Sequence, residues 1–381
     1  MGPEQLRAPG PPRYATRGIS ARRYRRRTRR KGETSSMRVL MPDSRLNGAE
    51  RRLQHSFMKS PVFNGLLMLA AVAGCYLPIR SLPARAVSPP ATVALSYTPV
   101  TLSAVAGPLR LAGAWEVGVA DPRFGGISSL AIDRGRFLSV SDRGSVARFD
   151  RPDVPNPQAW VADLRDGPGP WGKKWSRDAE SLAPDPDGRG WWVGYEQNHS
   201  LWLYDSDFQR ALSSVDLNRL NWWNNRGAEG LLAGNHHLLA VGENGREAML
   251  VNGSGQDRME LEAPADVAEA ALAPDGSAWL LLRTKSYRGI SQSIAPMVRT
   301  GNGYRAGAPW PLPKGAFDNY EGMAIESRPG GGMRFWLISD DGHRIMARTL
   351  LVALDYALPA RDEKSPASDA GLSKKPPVEL P

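Results

Sequence analysis

Residues 227–245 read GAEGLLAGNHHLLAVGENG: a short apolar strand, a turn of Gly, Asn and His, a second apolar strand, then an acidic turn. Related phrases stand at 126–144 (GISSLAIDRGRFLSVSDRG), 179–198 (AESLAPDPDGRGWWVGYEQN), 267–282 (VAEAALAPDGSAWLLL) and 319–342 (NYEGMAIESRPGGGMRFWLISDDG). Some run on into a third strand, such as SLWLYD (200–205) or EAMLVN (247–252). Short apolar runs bounded by Asp, Gly and Pro turns are strands rather than helices. A unit of two or three strands cannot bury both of its faces alone, so neighbouring units must stack. Aligned on Ser128, Glu180, Glu229, Glu269 and Glu321, the units lie 52, 49, 40 and 52 residues apart. Intervals that uneven exclude a rigid solenoid and suit the blades of a β-propeller with loops of varied length.

The fold class expected is therefore all-β, a propeller of five or six blades. Trp191, Trp192, Trp202, Trp279 and Trp336 lie inside the strands and are expected to fill the spaces between blades. Segments 93–119 and 345–356 also read as strands, and their pairing would close the ring and remove exposed strand edges. The domain division follows: an Arg-rich extension at 1–57 expected to be disordered, a leader at 58–86, the propeller at 87–357, and a polar tail at 358–381 expected to be disordered.

The formal charge of +10 suggests a nucleic-acid binder until it is located. Residues 1–86 hold 18 of the 49 Lys and Arg but four of the 39 Asp and Glu, leaving 31 basic against 35 acidic residues in the remainder. The propeller is mildly acidic, which argues against nucleic acid as a partner. In the leader, Met58-Lys59 precedes the apolar run GLLMLAAVAG (65–74), which is shorter than the roughly 20 residues of a membrane-spanning helix and reads as the core of a signal peptide. Two exits stay open. Val72-Ala73-Gly74-Cys75 resembles a lipobox, with Cys75 acylated as a membrane anchor, and Ala84-Arg85-Ala86 suits ordinary cleavage. Either places the protein in the periplasm, the first as an outer-membrane lipoprotein, and a monomer is expected. With one Cys, no disulfide within the chain forms.

In a propeller the first strand of each blade lines the channel, so residues recurring at its start form a ring. That ring would be Glu180, Glu229, Glu269 and Glu321, with Ser128 in the fifth place; a second set, Asp142, Glu196, Glu243 and Asp340, ends the next strand, with Arg283 substituting in one blade. Carboxylates so crowded repel unless protonated or neutralised. An oxygen-only donor set without clustered His or Cys suits Ca²⁺, giving Asp142, Glu180, Glu196, Glu229, Glu243, Glu321 and Asp340 as metal ligands. The alternative is that each Glu braces its own blade through backbone N–H groups or an Arg. Arg143, Arg226, Lys285 and Arg344 stand near these phrases, and the loops at 167–178 and 221–226 add Lys173, Trp175 and Trp222 as candidate substrate contacts, together with Trp171 and Trp223. Among them Glu180, Glu229, Arg143 and Arg226 are the candidate catalytic residues. No GxSxG elbow, HExxH motif or P-loop occurs, and only five His residues, spread over four segments, argue against a serine-histidine mechanism.

The phrases SDRG (141–144), DAESLA (178–183), NRGAEGL (225–231), NYEGMAIE (319–326) and LISDDG (337–342) resemble the bacterial family known as esterase-like activity of phytase, over roughly residues 110–357. The resemblance implies a propeller related to calcium-dependent phytases, acting on a phosphate ester or other small ester. It carries over to Asp142, Glu180, Glu229 and Glu321 and extends to Glu196, Glu243 and Asp340. Two classes of function fit these residues: a Ca²⁺-dependent ester hydrolase, and a non-catalytic envelope propeller whose mouth binds a glycan, peptide or protein.

Overall fold

The computed structural model describes residues 86–356, save 104, 106, 171–175, 218–225, 288, 316–317, 330 and 344–346. The extension at 1–57, the leader up to residue 85 with Cys75 and the tail at 358–381 lie outside the described residues, as do Trp171, Lys173, Trp175, Trp222, Trp223 and Arg344.

Among the described residues the extended elements are all β-strands. β1 (Ala91–Pro99) and β2 (Leu109–Val119) precede the repeats. Blade one is β3 (Ile127–Asp133), β4 (Arg136–Ser141), β5 (Ser145–Phe149) and β6 (Gln158–Asp163); blade two is β7 (Ala179–Pro184), β8 (Gly190–Tyr195), β9 (Ser200–Asp205) and β10 (Ala211–Asp216). Blade three is β11 (Ala228–Gly234), β12 (His237–Gly242), β13 (Glu247–Asn252) and β14 (Gly255–Glu262). Blade four is β15 (Asp266–Leu272), β16 (Ala278–Ser286), β17 (Gly289–Arg299) and β18 (Gly303–Ala306), with the short β19 (Trp310–Pro311) against β17. Blade five is β20 (Tyr320–Ser327), β21 (Met333–Ser339) and β22 (Leu350–Tyr356), and its outermost strand is β2, paired from Leu109↔Tyr356 to Glu116↔Leu350. The N-terminal and C-terminal strands thus complete one blade between them, as the closure argument expected.

The inner strands meet in the cyclic order β3, β7, β11, β15, β20 and back to β3, so the described residues form a ring of five blades and not six. At the rim β1 joins blades one and five through β6 and β2, and β14 pairs in parallel with β18 to join blades three and four. Each interface has its own apolar core. Trp191 packs between blades one and two, Trp192 between two and three, Trp279 between four and five, and Trp336 between five and one. The tryptophans therefore fill the inter-blade spaces, except that the space between blades three and four is filled without one, around Leu280, Met297 and Tyr304.

Crowding is tightest where inner strands converge. A Cβ on Gly230 would stand 2.6 Å from the Ala270 nitrogen, and one on Gly322 would stand 2.9 Å from the Leu130 nitrogen. Backbone cannot give way as a flexible side chain does, so Gly322→Val is expected to cost about 1–3 kcal/mol in urea unfolding. Gly253→Ala, at a position with open space, serves as the control and is expected to stay within about 0.5 kcal/mol. Equal stability of the two variants would refute the crowding.

Candidate functional site

In every blade the ladder between first and second strands slips by one residue near its start: between Ile127 and Ser129, Ala179 and Ser181, Ala228 and Gly230, Val267 and Glu269, and Tyr320 and Gly322. The residue each bulge leaves over is Ser128, Glu180, Glu229, Ala268 or Glu321. A bulge re-aims a side chain out of the pleat, and here the device recurs five times at one end of the channel. The next strand runs antiparallel and ends at the same place. There the Asp142, Glu196, Glu243 and Asp340 amides donate to the carbonyls of Gly126, Asp178, Gly227 and Asn319 at 2.9, 2.9, 3.2 and 2.9 Å. Arg283, paired with Asp266, holds that place in blade four.

This register corrects the expected ring. Ala268, not Glu269, is the blade-four equivalent of Glu180, Glu229 and Glu321. Glu269 stands one residue further along, fully buried, with Oε2 accepting from Ser129 Oγ at 2.5 Å and Oε1 from its neighbour Ala270 N at 2.9 Å. Through the Ala270 amide it braces its own blade, the alternative weighed for all the glutamates, and through Ser129 it also ties blade four to blade one. Burial pushes its carboxyl well up, and hydrogen bonds from Ser129 and the Ala270 and Leu130 amides oppose that rise.

The remaining acids form one connected group. Oxygens of Asp178, Glu180 and Glu196 lie within 4.8 Å of one another, as do those of Glu196, Glu229 and Glu243, and all five residues are buried. Burial first, then Asp178, Glu229, Glu196 and Glu321, push the Glu180 carboxyl well above the usual glutamate range. Burial, Glu243 and Glu196 do the same to Glu229, with Arg283 pulling the other way. Half-buried Asp340 is raised by desolvation, then by Glu321 and Asp142, which links blade five to blade one. Arg283, itself buried, binds Glu321 through Nη1 and Glu243 through Nη2 at 3.2 Å. Desolvation lowers its guanidinium, but Glu321, Glu229, Glu243 and Glu180 outweigh that and hold it above its ordinary value. Asn319 Nδ2 also donates to Glu321, at 2.5 Å.

Asp178 belongs to this group and was not among the residues read from the sequence. Its signal was the Asp-x-Glu spacing in DAESLA, which sets a second carboxylate two residues before Glu180, at the entry to β7. Of the expected cations, Lys285 Nζ lies 3.7 Å from Glu243 Oε1, Arg143 is half-buried in the turn after Asp142, and Arg226 is exposed just before β11. Arg177 takes a structural place: its guanidinium donates to the carbonyls of Leu164, Arg165 and Asp166 and organises the connection from β6 to β7.

Two triads of buried carboxylates sharing Glu196, faced by one buried arginine, define a propeller with an anionic, oxygen-donor mouth. The family model described as "Phytase-like: Esterase-like activity of phytase" matches residues 122–343, more than half of the chain, and the chain belongs to that family. No curated protein matches this sequence. Among solved structures, it is similar to Myxococcus xanthus glutaminyl cyclase (14% identity, 67% of this chain and 100% of that one, TM-score 0.41). It is also similar to the Myceliophteria thermophila Cps50 (Swd1) β-propeller domain (13%, 67% and 99%, TM-score 0.35). The chain spans just over half the length of a third, Kuenenia stuttgartiensis hydrazine synthase (12% identity, 56% of each chain, TM-score 0.34).

Proposed function

We propose that the chain is an exported, Ca²⁺-dependent hydrolase of phosphate esters. The observation that carries this reading is the pair of carboxylate triads sharing Glu196. Two full negative charges at 4.8 Å repel by roughly 3 kcal/mol at an effective dielectric of about 20. A site holding several such pairs against one buried arginine fits a divalent ion. The donor oxygens are all carboxylate, which suits a hard cation of the size of Ca²⁺. Asp178, Glu180 and Glu196 would hold one ion, and Glu229 and Glu243 would share Glu196 with a second. A bound divalent ion polarises a phosphoryl oxygen and acidifies a coordinated water. The chain's own part is electrostatic positioning: Lys285 at the rim, Arg143 beside Asp142 and Arg226 at the entry to blade three offer donors to an arriving anion. Export through the leader at 58–86, with acylation of Cys75 or cleavage after Ala86, would present this mouth to small esters of the periplasm.

Hydrolysis of p-nitrophenyl phosphate by the purified protein, with Ca²⁺ and then with EDTA, tests the reading, alongside elemental analysis for bound metal. Turnover is expected to collapse with EDTA and to return with added Ca²⁺. Activity indifferent to chelation would sink the metal role, and calcium binding without turnover on any phosphate or carboxylic ester would favour a binding module.

A further inference from the structure

One residue past its bulge, each inner strand reaches the level directly beneath the mouth, with Ser129, Ser181, Gly230, Glu269 and Gly322 in turn. Four of these are small and the other is a glutamate. Ser129 and Ser181 have no exposed surface and Glu269 is 1% exposed, so solvent in the mouth does not reach this level. Inner strands are also edge strands, whose channel-facing amides have no ladder partner. Glu269 supplies one on two blades. Its carboxyl meets the Ala270 amide at 2.9 Å on its own strand and, on β3, the Ser129 hydroxyl at 2.5 Å together with the Leu130 amide. Blades four and one share no ladder, and blade five, which stands between them in the ring, offers no side chain at Gly322. Asp142 of blade one and Arg283 of blade four stand at the mouth above, so the contact beneath ties two sides of the mouth together.

A carboxylate cut off from water is costly to ionise unless a cation meets it. The ionisable groups on β15 and the strands around it are Asp266 on β15, Glu229 on β11, His237 on β12, Arg283 and Lys285 on β16, Glu321 and Glu326 on β20 and Asp133 on β3. None of them acts on Glu269, whose carboxyl is pushed up by burial against the pull of its three hydrogen bonds. Arg283 is taken by Glu243 and Glu321, and Lys285 lies against Glu243. A neutral carboxyl suits the place: it donates to the Ser129 hydroxyl, which can give or take a hydrogen, and still accepts from the Ala270 amide.

We infer that Glu269 is a proton-held latch: its neutral carboxyl closes the channel beneath the mouth by joining blade four to blade one, and its ionisation parts them. The latch makes the mouth a cup open on one face, whatever that mouth binds or hydrolyses. A carboxyl raised by folding contributes stability that is complete below its unfolded value, about 4.3, and is lost as pH rises through the folded value. The latch therefore holds in acid and opens as the pH climbs. Amide hydrogen exchange of the whole protein, read as protection of Leu130 and Ala270 at pH 5 and pH 9, tests it. The wild type is expected to protect both amides at pH 5 and to lose about tenfold of that protection at pH 9, the scale of one hydrogen bond. Glu269→Gln, which keeps an acceptor for Ala270 and a donor for Ser129, is expected to stay protected at both. Glu269→Ala is expected to release Leu130, on the opposite blade, at pH 5. Should that variant not fold, Ser129→Ala is expected to release Ala270 about fivefold, again across the channel. Unchanged protection of Leu130 in Glu269→Ala, or of Ala270 in Ser129→Ala, overturns the joining of the two blades. Equal wild-type protection at the two pH values, or Glu269→Gln as unprotected at pH 5 as Glu269→Ala, overturns the role of the proton.

Discussion

Arg283→Met is expected to destabilise the protein by about 3–5 kcal/mol at neutral pH, the cost of removing one partner from a buried ion pair. Methionine nearly matches the stem of arginine in volume, so the loss reports charge and hydrogen bonds rather than a cavity. Arg283 touches Glu321 and Glu243 directly and lowers the Glu229 carboxyl through space. Without it, Glu229 is pushed higher still. A carboxyl whose pKa is raised by folding contributes stability that is complete below its unfolded value, about 4.3, and is lost as pH rises through the folded value. The deficit of the variant is therefore expected to be small near pH 4 and largest above neutrality. Urea midpoints across that range measure it. A deficit independent of pH would mean that Arg283 acts through packing, and no deficit at all would mean that the arginine does not neutralise the mouth.

The place of Arg283 could be read from the sequence because the repeat itself exposes it: four acids and one arginine end the second strand. The tryptophans and the pairing of the first with the last strand were legible for the same reason, since apolar strands at regular order leave few ways to bury both faces. The register inside blade four was not legible. Aligning the phrases by their glutamates placed Glu269 in the ring, whereas the ladder aligns Ala268 there and sends Glu269 to Ser129. A one-residue bulge moves a side chain without changing composition or period, so only the pairing reveals it. The rim pairings of β1 with β6 and of β14 with β18 escaped for another reason. They join half-exposed strands distant in sequence, and nothing in either strand names its partner. Blade number followed once these joints were known.

The strongest expectation for the mouth concerns Glu180→Gln combined with Glu229→Gln. Both carboxyls sit with their pKa values pushed up, chiefly by burial and then by neighbouring acids, so in the metal-free protein they oppose folding at neutral pH. Replacement by the neutral isostere removes that repulsion. In EDTA the double variant is expected to melt several degrees above the wild type at pH 8, to gain little at pH 4, where the wild-type groups are protonated, and hence to show a flatter dependence on pH. In calcium the order reverses. A ligand at 100 times its dissociation constant stabilises by about 2.7 kcal/mol, a gain the wild type receives and the variant, with two of the five triad carboxylates neutral, does not. Hydrolysis of p-nitrophenyl phosphate is expected to disappear with it. The two melting curves separate the candidate roles, because a brace and a ligand respond oppositely. If the glutamates hold the blades together, the variant melts lower in EDTA as well as in calcium. If they hold a cation, it melts higher in the first and lower in the second, since the same crowding that burdens the empty mouth is what gives the ion its affinity.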